Sequence, residues 1–194
     1  MKERVGIFGG TFDPPHRAHL RVALAACEAL SLDRLLWIPA GRPPHKAGVS
    51  MSEPHHRMEM TRLMTDEDVR FRMELGEITS ETISWTVNTL ERIHHAQPDW
   101  DLVLIMGEDQ WAAFGTWHRP EDIRGLARIA VYRRPGDGEL EGGSESGQPD
   151  HWLPGESMAH ASTRIREALG NGEPIDELLL PTVAAYIRKH GLYG

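Results

Sequence analysis

Cysteine is almost missing from this chain: Cys27 is the only one among 194 residues. A lone thiol cannot close an internal disulfide, so the sequence predicts a protein of the reducing cytoplasm. Long apolar runs are missing too, and nothing approaches the roughly 20 residues that a transmembrane helix needs. No membrane association is expected. Cations are in deficit, with 21 Lys and Arg against 29 Asp and Glu and a formal net charge of −8. An acidic surface argues against nucleic-acid binding, which needs phosphate-facing cations, but it allows a local basic pocket. No leader peptide is expected, because Met1-Lys2-Glu3-Arg4 runs directly into an apolar segment. No internal repeat is visible.

What is present is ordinary globular material, 40% hydrophobic and 26% charged. The length suits a single domain over residues 1–194. Buried strands are expected at Val5 to Phe8, Leu35 to Ile38 and Leu102 to Met106. A weaker one is expected from Val69 to Leu75, a fifth from Ala127 to Tyr132 and a short last one at His151 to Leu153. Helical periodicity predicts helices from about His16 to Leu30, from Ser52 and Glu53 onward, and from Thr82 to Ala96. Short helices are expected through Trp111 and Phe114 and over 119–125. A C-terminal helical part, 162–194, holds Thr163 to Leu169 and Pro181 to His190. Cys27 falls on the apolar stripe of the first helix and reads as core. Residues 135–150 are acidic, rich in Gly and Ser, and read as a flexible surface loop. Strands alternating with helices imply an α/β fold, a Rossmann-like doubly wound parallel sheet.

The most informative stretch is Gly9-Gly10-Thr11-Phe12-Asp13-Pro14-Pro15-His16-Arg17-Ala18-His19. It reads as strand end, glycine turn and helix start. Helix starts gather unpaired N–H groups and the positive end of the dipole, which suits phosphate. Glycine lets backbone approach phosphate oxygens closely. His16 and His19, three apart, share one face of the first turn. A metal reading would need a third ligand from His45, His55 or His56, and it would leave the glycine turn unexplained.

Other polar and aromatic residues fall in loops at the carboxyl ends of the strands, where open parallel sheets bind ligands. Lys46 and Arg42 sit in a Pro/Gly loop as candidate phosphate-binding cations. Asp109 follows the strand-ending Gly107 and could accept from ribose hydroxyls. Trp117, with His118 beside it, is placed to serve as a platform for a planar ring, whereas Phe114 reads as core. Ser162, Thr163 and Arg166 at a helix start could form a second phosphate cradle.

Gly9-Gly10-Thr11-Phe12-Asp13-Pro14 with His16-x-x-His19 resembles the signature of the HxGH nucleotidyltransferase superfamily. Pro43-Pro44-His45-Lys46, Ser84-Trp85-Thr86, Gly107-x-Asp109, Trp117, Ser162-Thr163-x-Ile165-Arg166 and the ending Tyr186 to Tyr193 narrow the resemblance to bacterial nicotinate-mononucleotide adenylyltransferases. Three positions depart from that pattern. Ala18 replaces the glycine of HxGH, Trp85 stands for the usual tyrosine, and Ala161 removes a serine hydroxyl.

The resemblance implies a nucleotidyltransferase-type fold and transfer of AMP from ATP to nicotinate mononucleotide, a step of NAD biosynthesis. It implies His16, His19 and Lys46 as catalytic. Gly9, Gly10, Thr11, Phe12, Gly107, Asp109, Ser162, Thr163 and Arg166 would bind ATP together with the two histidines. Lys46, Ser84, Trp85, Thr86, Trp117 and His118 would bind the pyridine nucleotide. Mg²⁺ would arrive with ATP and have no protein-built site. A homo-oligomeric state is left open.

Overall fold

Strands buried on both faces of a parallel sheet read as unbroken apolar runs, and the runs of this chain form such a sheet. The structure, a computed structural model, describes residues 2–44, 51–133, 147–155 and 162–194. Its strands are β1 (Arg4–Gly10), β2 (Arg34–Pro39), β3 (Phe71–Met73), β4 (Asp101–Gly107), β5 (Arg128–Arg133) and β6 (His151–Pro154). All neighbours pair in parallel, in the order β3-β2-β1-β4-β5-β6. The helices are α1 (Arg17–Leu30), α2 (Pro54–Thr65), α3 (Thr86–Ala96), α4 (Glu108–Ala112), α5 (Pro120–Leu126), α6 (Ser162–Gly170) and α7 (Pro181–His190). The expected doubly wound α/β architecture is therefore present. No helix among the described residues is long and apolar enough to cross a membrane.

Side chains alternate across a strand, so one strand feeds two cores. Leu102, Leu104 and Met106 of β4 meet Val87, Leu90 and Ile93 of α3 and Trp111 of α4. Val103 and Ile105 join the opposite core, with Ala23, Ala26 and Cys27 of α1. Met60 and Met64 of α2, Ile165 of α6 and Val183 and Ile187 of α7 complete that second core. Cys27 is fully buried, and burial pushes its thiol up to about 12, which suits inert packing.

Several boundaries differ from the sequence expectation. The third strand shrinks to Phe71–Met73, because Glu74 turns the chain by accepting the Gly76 amide at 2.9 Å. α3 begins at Thr86 instead of Thr82, and Ile83, which falls before it, is 47% exposed. Residues 82–85 are instead drawn away toward the loop after β2, where the Ser84 amide donates to the Arg42 carbonyl at 3.0 Å. Phe114 is buried as expected but lies in a short 3₁₀ turn, Phe114–Thr116. Lys46 and His45 lie outside the described residues, as do Ala161 and residues 135–146 of the acidic loop.

Candidate active site

The order β3-β2-β1-β4-β5-β6 reverses between β1 and β4. Connections from these two strands leave toward opposite faces of the sheet, and a crevice opens beyond their carboxyl ends. A cleft of about 260 Å³ lies there, walled by Gly9, Gly10 and Thr11 after β1, by Ala40, Pro43 and Pro44 after β2, and by Thr86, Gln110, Trp117 and His118. At Gly9 a Cβ would meet nothing within 4 Å, so the fold itself does not demand glycine there. At Gly10 a Cβ would come within 2.8 Å of the Phe12 ring.

His16 caps α1 and His19 occupies its third position. The His16 amide donates to His19 Nδ1 at 3.2 Å, and the two rings lie 3.8 Å apart. Burial first, and then the neighbouring His16, push the His19 pKa well below the ordinary histidine value. The neutral ring with Nδ1 accepting carries its proton on Nε2, so the residue offers one N–H donor. Phe12 was expected among the ATP-binding residues. Its side chain is 2% exposed in a left-handed backbone conformation (φ 50°) and packs edge-on against His19 at 5.1 Å. Its ring is thus a wall for the histidine, and only its backbone is left for a ligand. Ala18 is 8% exposed, so the added methyl faces the protein.

The start of α6 docks on the same corner from far along the chain. Ser162 donates to the Pro14 carbonyl at 3.0 Å, and Arg166 Nη1 donates to the Asp13 carbonyl at 2.7 Å. A second Arg166 nitrogen donates to Thr163 at 3.1 Å. Asp13 is 2% exposed, accepts from the Ser52 amide at 3.2 Å and accepts a further hydrogen bond from the Tyr193 hydroxyl. Burial, then that bond to Asp13, raise the Tyr193 pKa, so the phenol stays protonated.

The opposite wall holds the aromatic residues. Trp117 follows the 3₁₀ turn and touches Phe114 at 5.5 Å. Trp85 precedes α3 and its ring lies 4.7 Å from that of the exposed His118. Ser84, expected to bind ligand, spends its hydroxyl oxygen on the protein: it accepts from the Gly41 and Arg42 amides at 3.0 and 3.1 Å. Glu77 accepts from Ser84 and, at 2.6 Å, from Thr89; burial raises its pKa against the pull of those two hydrogen bonds. Gly41 is required here, since a Cβ would fall 2.2 Å from the Glu77 carbonyl oxygen. Gly107 caps α4, and Asp109 lies beside it at the second position of that helix.

Sequence reasoning passed over Arg57. This α2 residue is 1% exposed and donates to the Ser52 and Thr11 carbonyls at 3.1 Å each, to the Gly41 carbonyl at 3.3 Å and to the Ala40 carbonyl. A signal was available: Arg57, Met60, Thr61 and Met64 form the buried stripe of α2, and a cation within such a stripe needs a reason. Of the alternative metal ligands, His55 is exposed with its ring 3.9 Å from that of His56, and His56 is engaged with α7. His56 pairs with Tyr186 at 2.9 Å, and its ring lies 5.2 Å from that of His190. Among the described residues no group of three or more His, Cys, Asp or Glu could hold a metal ion.

Residues 7–168 match the cytidylyltransferase-like family. A protein of Hydrogenovibrio crunogenus named probable nicotinate-nucleotide adenylyltransferase is 40% identical over 204 residues, covering 97% of each chain. One of the same name from Dechloromonas aromatica is 37% identical over 220 residues, covering 100% of this chain and 99% of its own. Among solved structures, Plasmodium falciparum nicotinic acid mononucleotide adenylyltransferase complexed with NaAD superposes with a TM-score of 0.77 at 18% identity. That match covers 98% of this chain and 97% of the other and speaks to the fold alone.

Proposed function

The chain belongs to the cytidylyltransferase-like family and, within it, to the nicotinate-nucleotide adenylyltransferases, and on that premise we propose that it joins ATP and nicotinate mononucleotide into nicotinate adenine dinucleotide and pyrophosphate. The observation that carries this reading is the histidine pair at the start of α1, with His19 favoured in its neutral form, beside a glycine-walled cleft at the switch point of the sheet.

The chemistry fits those parts. The nucleophile is a phosphate oxygen of the mononucleotide, already ionised at neutral pH. It bonds to the α-phosphorus as the α–β bridging bond breaks, and the electron pair leaves with pyrophosphate. No strong base is required. The barrier is charge: two anions must meet, and negative charge grows on the leaving group. Positioning and preorganised donors lower that barrier. His19, through Nε2–H, and His16 would face the α-phosphate, with Gly9 to Thr11 and the start of α1 supplying amides and dipole. Ser162, Thr163 and Arg166 would hold the leaving phosphates, and Gly107 and Asp109 the nucleoside. Lys46 would reach the mononucleotide phosphate or the transferring group.

Trp117 would stack on the pyridine ring, flanked by Trp85 and His118. Thr86 and nearby amides would read its carboxylate, since O–H and N–H donors favour an acid over an amide. The direct hydrogen bonds of Ser84 support a role in shaping this wall rather than in touching the ring. ATP would enter as its Mg²⁺ complex, with the ion held by phosphates and water. The lone buried thiol fits work in the cytoplasm.

Pyrophosphate release with ATP and a panel of acceptors tests the proposal. Turnover with nicotinate mononucleotide should exceed that with nicotinamide mononucleotide and with phosphopantetheine, and should stop when Mg²⁺ is chelated. A preference for phosphopantetheine would replace this reading.

A further inference from the structure

We infer that Arg57 is a positioning residue for adenylyl transfer, fixing the ATP-side loop and the mononucleotide-side loop of the cleft in one relation. The inference rests on the adenylyl-transfer reading.

The placement of Arg57 is costly for a residue that only fills space. It lies on the buried stripe of α2 beside Met60 and Met64, where burial disfavours its charge and the nearby Asp13 carboxylate only partly offsets that. A buried guanidinium is tolerated only when its donors are satisfied. Here every acceptor is a backbone carbonyl, and the four carbonyls come from three separate segments. Thr11 belongs to the glycine turn that leads to His16 and His19. Ala40 and Gly41 follow β2, and Ser52 precedes α2. Ala40 and Gly41 on one side and Ser52 on the other are the two roots of the segment that carries Lys46. One planar group therefore grips both roots of that segment together with the glycine turn.

The peptide geometry makes the grip two-sided. In a trans peptide, C=O and N–H point in opposite directions. The carbonyls of Ala40 and Gly41 point to Arg57, and the amides completing those two peptide units, Gly41 N–H and Arg42 N–H, both point to Ser84 Oγ. The two units are clamped between a guanidinium and a hydroxyl. The Gly10 carbonyl accepts from the Ala40 amide at 2.8 Å and joins the same corner to the ATP-side loop. A rigid fork with five donors can serve three segments at once, which a lysine ammonium on a flexible stem cannot.

A group that fixes two substrate loops relative to each other should matter most when both substrates must meet, and least when ATP binds alone. Arg57→Lys keeps the charge and loses the fork. The experiment measures kcat by pyrophosphate release, ATP affinity alone by calorimetry, and the folded fraction by thermal melting. Expected for Arg57→Lys is a protein folded at the assay temperature, with kcat down at least tenfold and ATP affinity within threefold of wild type. A kcat loss below tenfold overturns the inference. So does a loss matched by an equal loss of ATP affinity, or one explained by the unfolded fraction. Ser84→Ala frees the amide ends of the same peptide units and leaves α2 intact, so it repeats the test if Arg57→Lys fails to fold. The same split is expected, and an unchanged kcat overturns the idea. Wild-type turnover in the same assay separates failure of this inference from failure of the adenylyl-transfer reading.

Discussion

The His16 amide donates to Nδ1 of His19, and the two imidazoles lie 3.8 Å apart over the start of α1. This one bond sets the tautomer of His19 and leaves Nε2–H as its remaining donor. The pair is thereby organised before any ligand arrives, which is what electrostatic stabilisation of a transition state requires.

Removing that donor should be expensive in rate and cheap in fold. His19→Ala is expected to lower kcat by about 10²–10³-fold, the usual scale for losing one preorganised transition-state donor. The far-ultraviolet circular dichroism should stay native. Pyrophosphate-release kinetics check the claim, and near-normal kcat would remove His19 from the chemistry.

The depressed pKa of His19 carries a pH signature. Burial and His16 favour the neutral ring in the folded protein, while the unfolded ring titrates near 6.5. The folded pKa is the lower one, so the stabilisation is complete above the unfolded value. It is lost as pH falls from there toward the folded value. Between pH 7 and pH 5 the melting temperature of the wild type should drop more steeply than that of His19→Gln. Parallel slopes would show that His19 titrates normally.

The two adjacent glycines should fail in different ways. Gly9→Ala adds a methyl with no protein atom within 4 Å, so the melting temperature should hold or rise slightly while the KM for ATP increases. Gly10→Ala drives a methyl to 2.8 Å from the Phe12 ring, so it should cost on the order of 1–3 kcal/mol of stability, as overpacking does. Melting curves and ATP titrations of both variants decide it. A destabilised Gly9→Ala with unaltered ATP binding would make that glycine a requirement of the fold.

Trp117 lines the cleft beside Phe114 without being sealed into the core. Trp117→Ala should raise the KM for nicotinate mononucleotide at least tenfold, in keeping with a lost aromatic platform, and that for ATP much less. Equal increases for both substrates would deny it a stacking role.

Much of this protein is legible in its sequence. Unbroken apolar runs such as Leu102 to Met106 mark strands covered on both sides, and their alternation with amphipathic stretches marks a doubly wound sheet. Ligand sites of such sheets collect at strand ends. The local grouping of Gly9, Gly10, His16 and His19 therefore singles out this corner as a candidate phosphate site. Those features are visible because they depend on near neighbours and on periodicity.

The tertiary structure decided what periodicity does not encode: which polar atom spends its bonds on which distant partner. Arg166 finds the carbonyl of Asp13, 153 residues away, and α6 thereby closes on the histidine corner. Ser84 carries the same hydroxyl whether it reads a ligand or pins Gly41 and Arg42, and only the fold chooses the second. Phe12 sits inside a candidate ligand-binding motif, yet its ring faces Phe8, Trp37 and His19. Arg57 is one more arginine in the sequence and becomes the tie among three segments only when α2 packs beneath their backbones. Chain-local patterns determine where strands and helices form. The clamps that shape the site arise from backbone carbonyls and amides, which are alike in every residue and acquire partners only through topology.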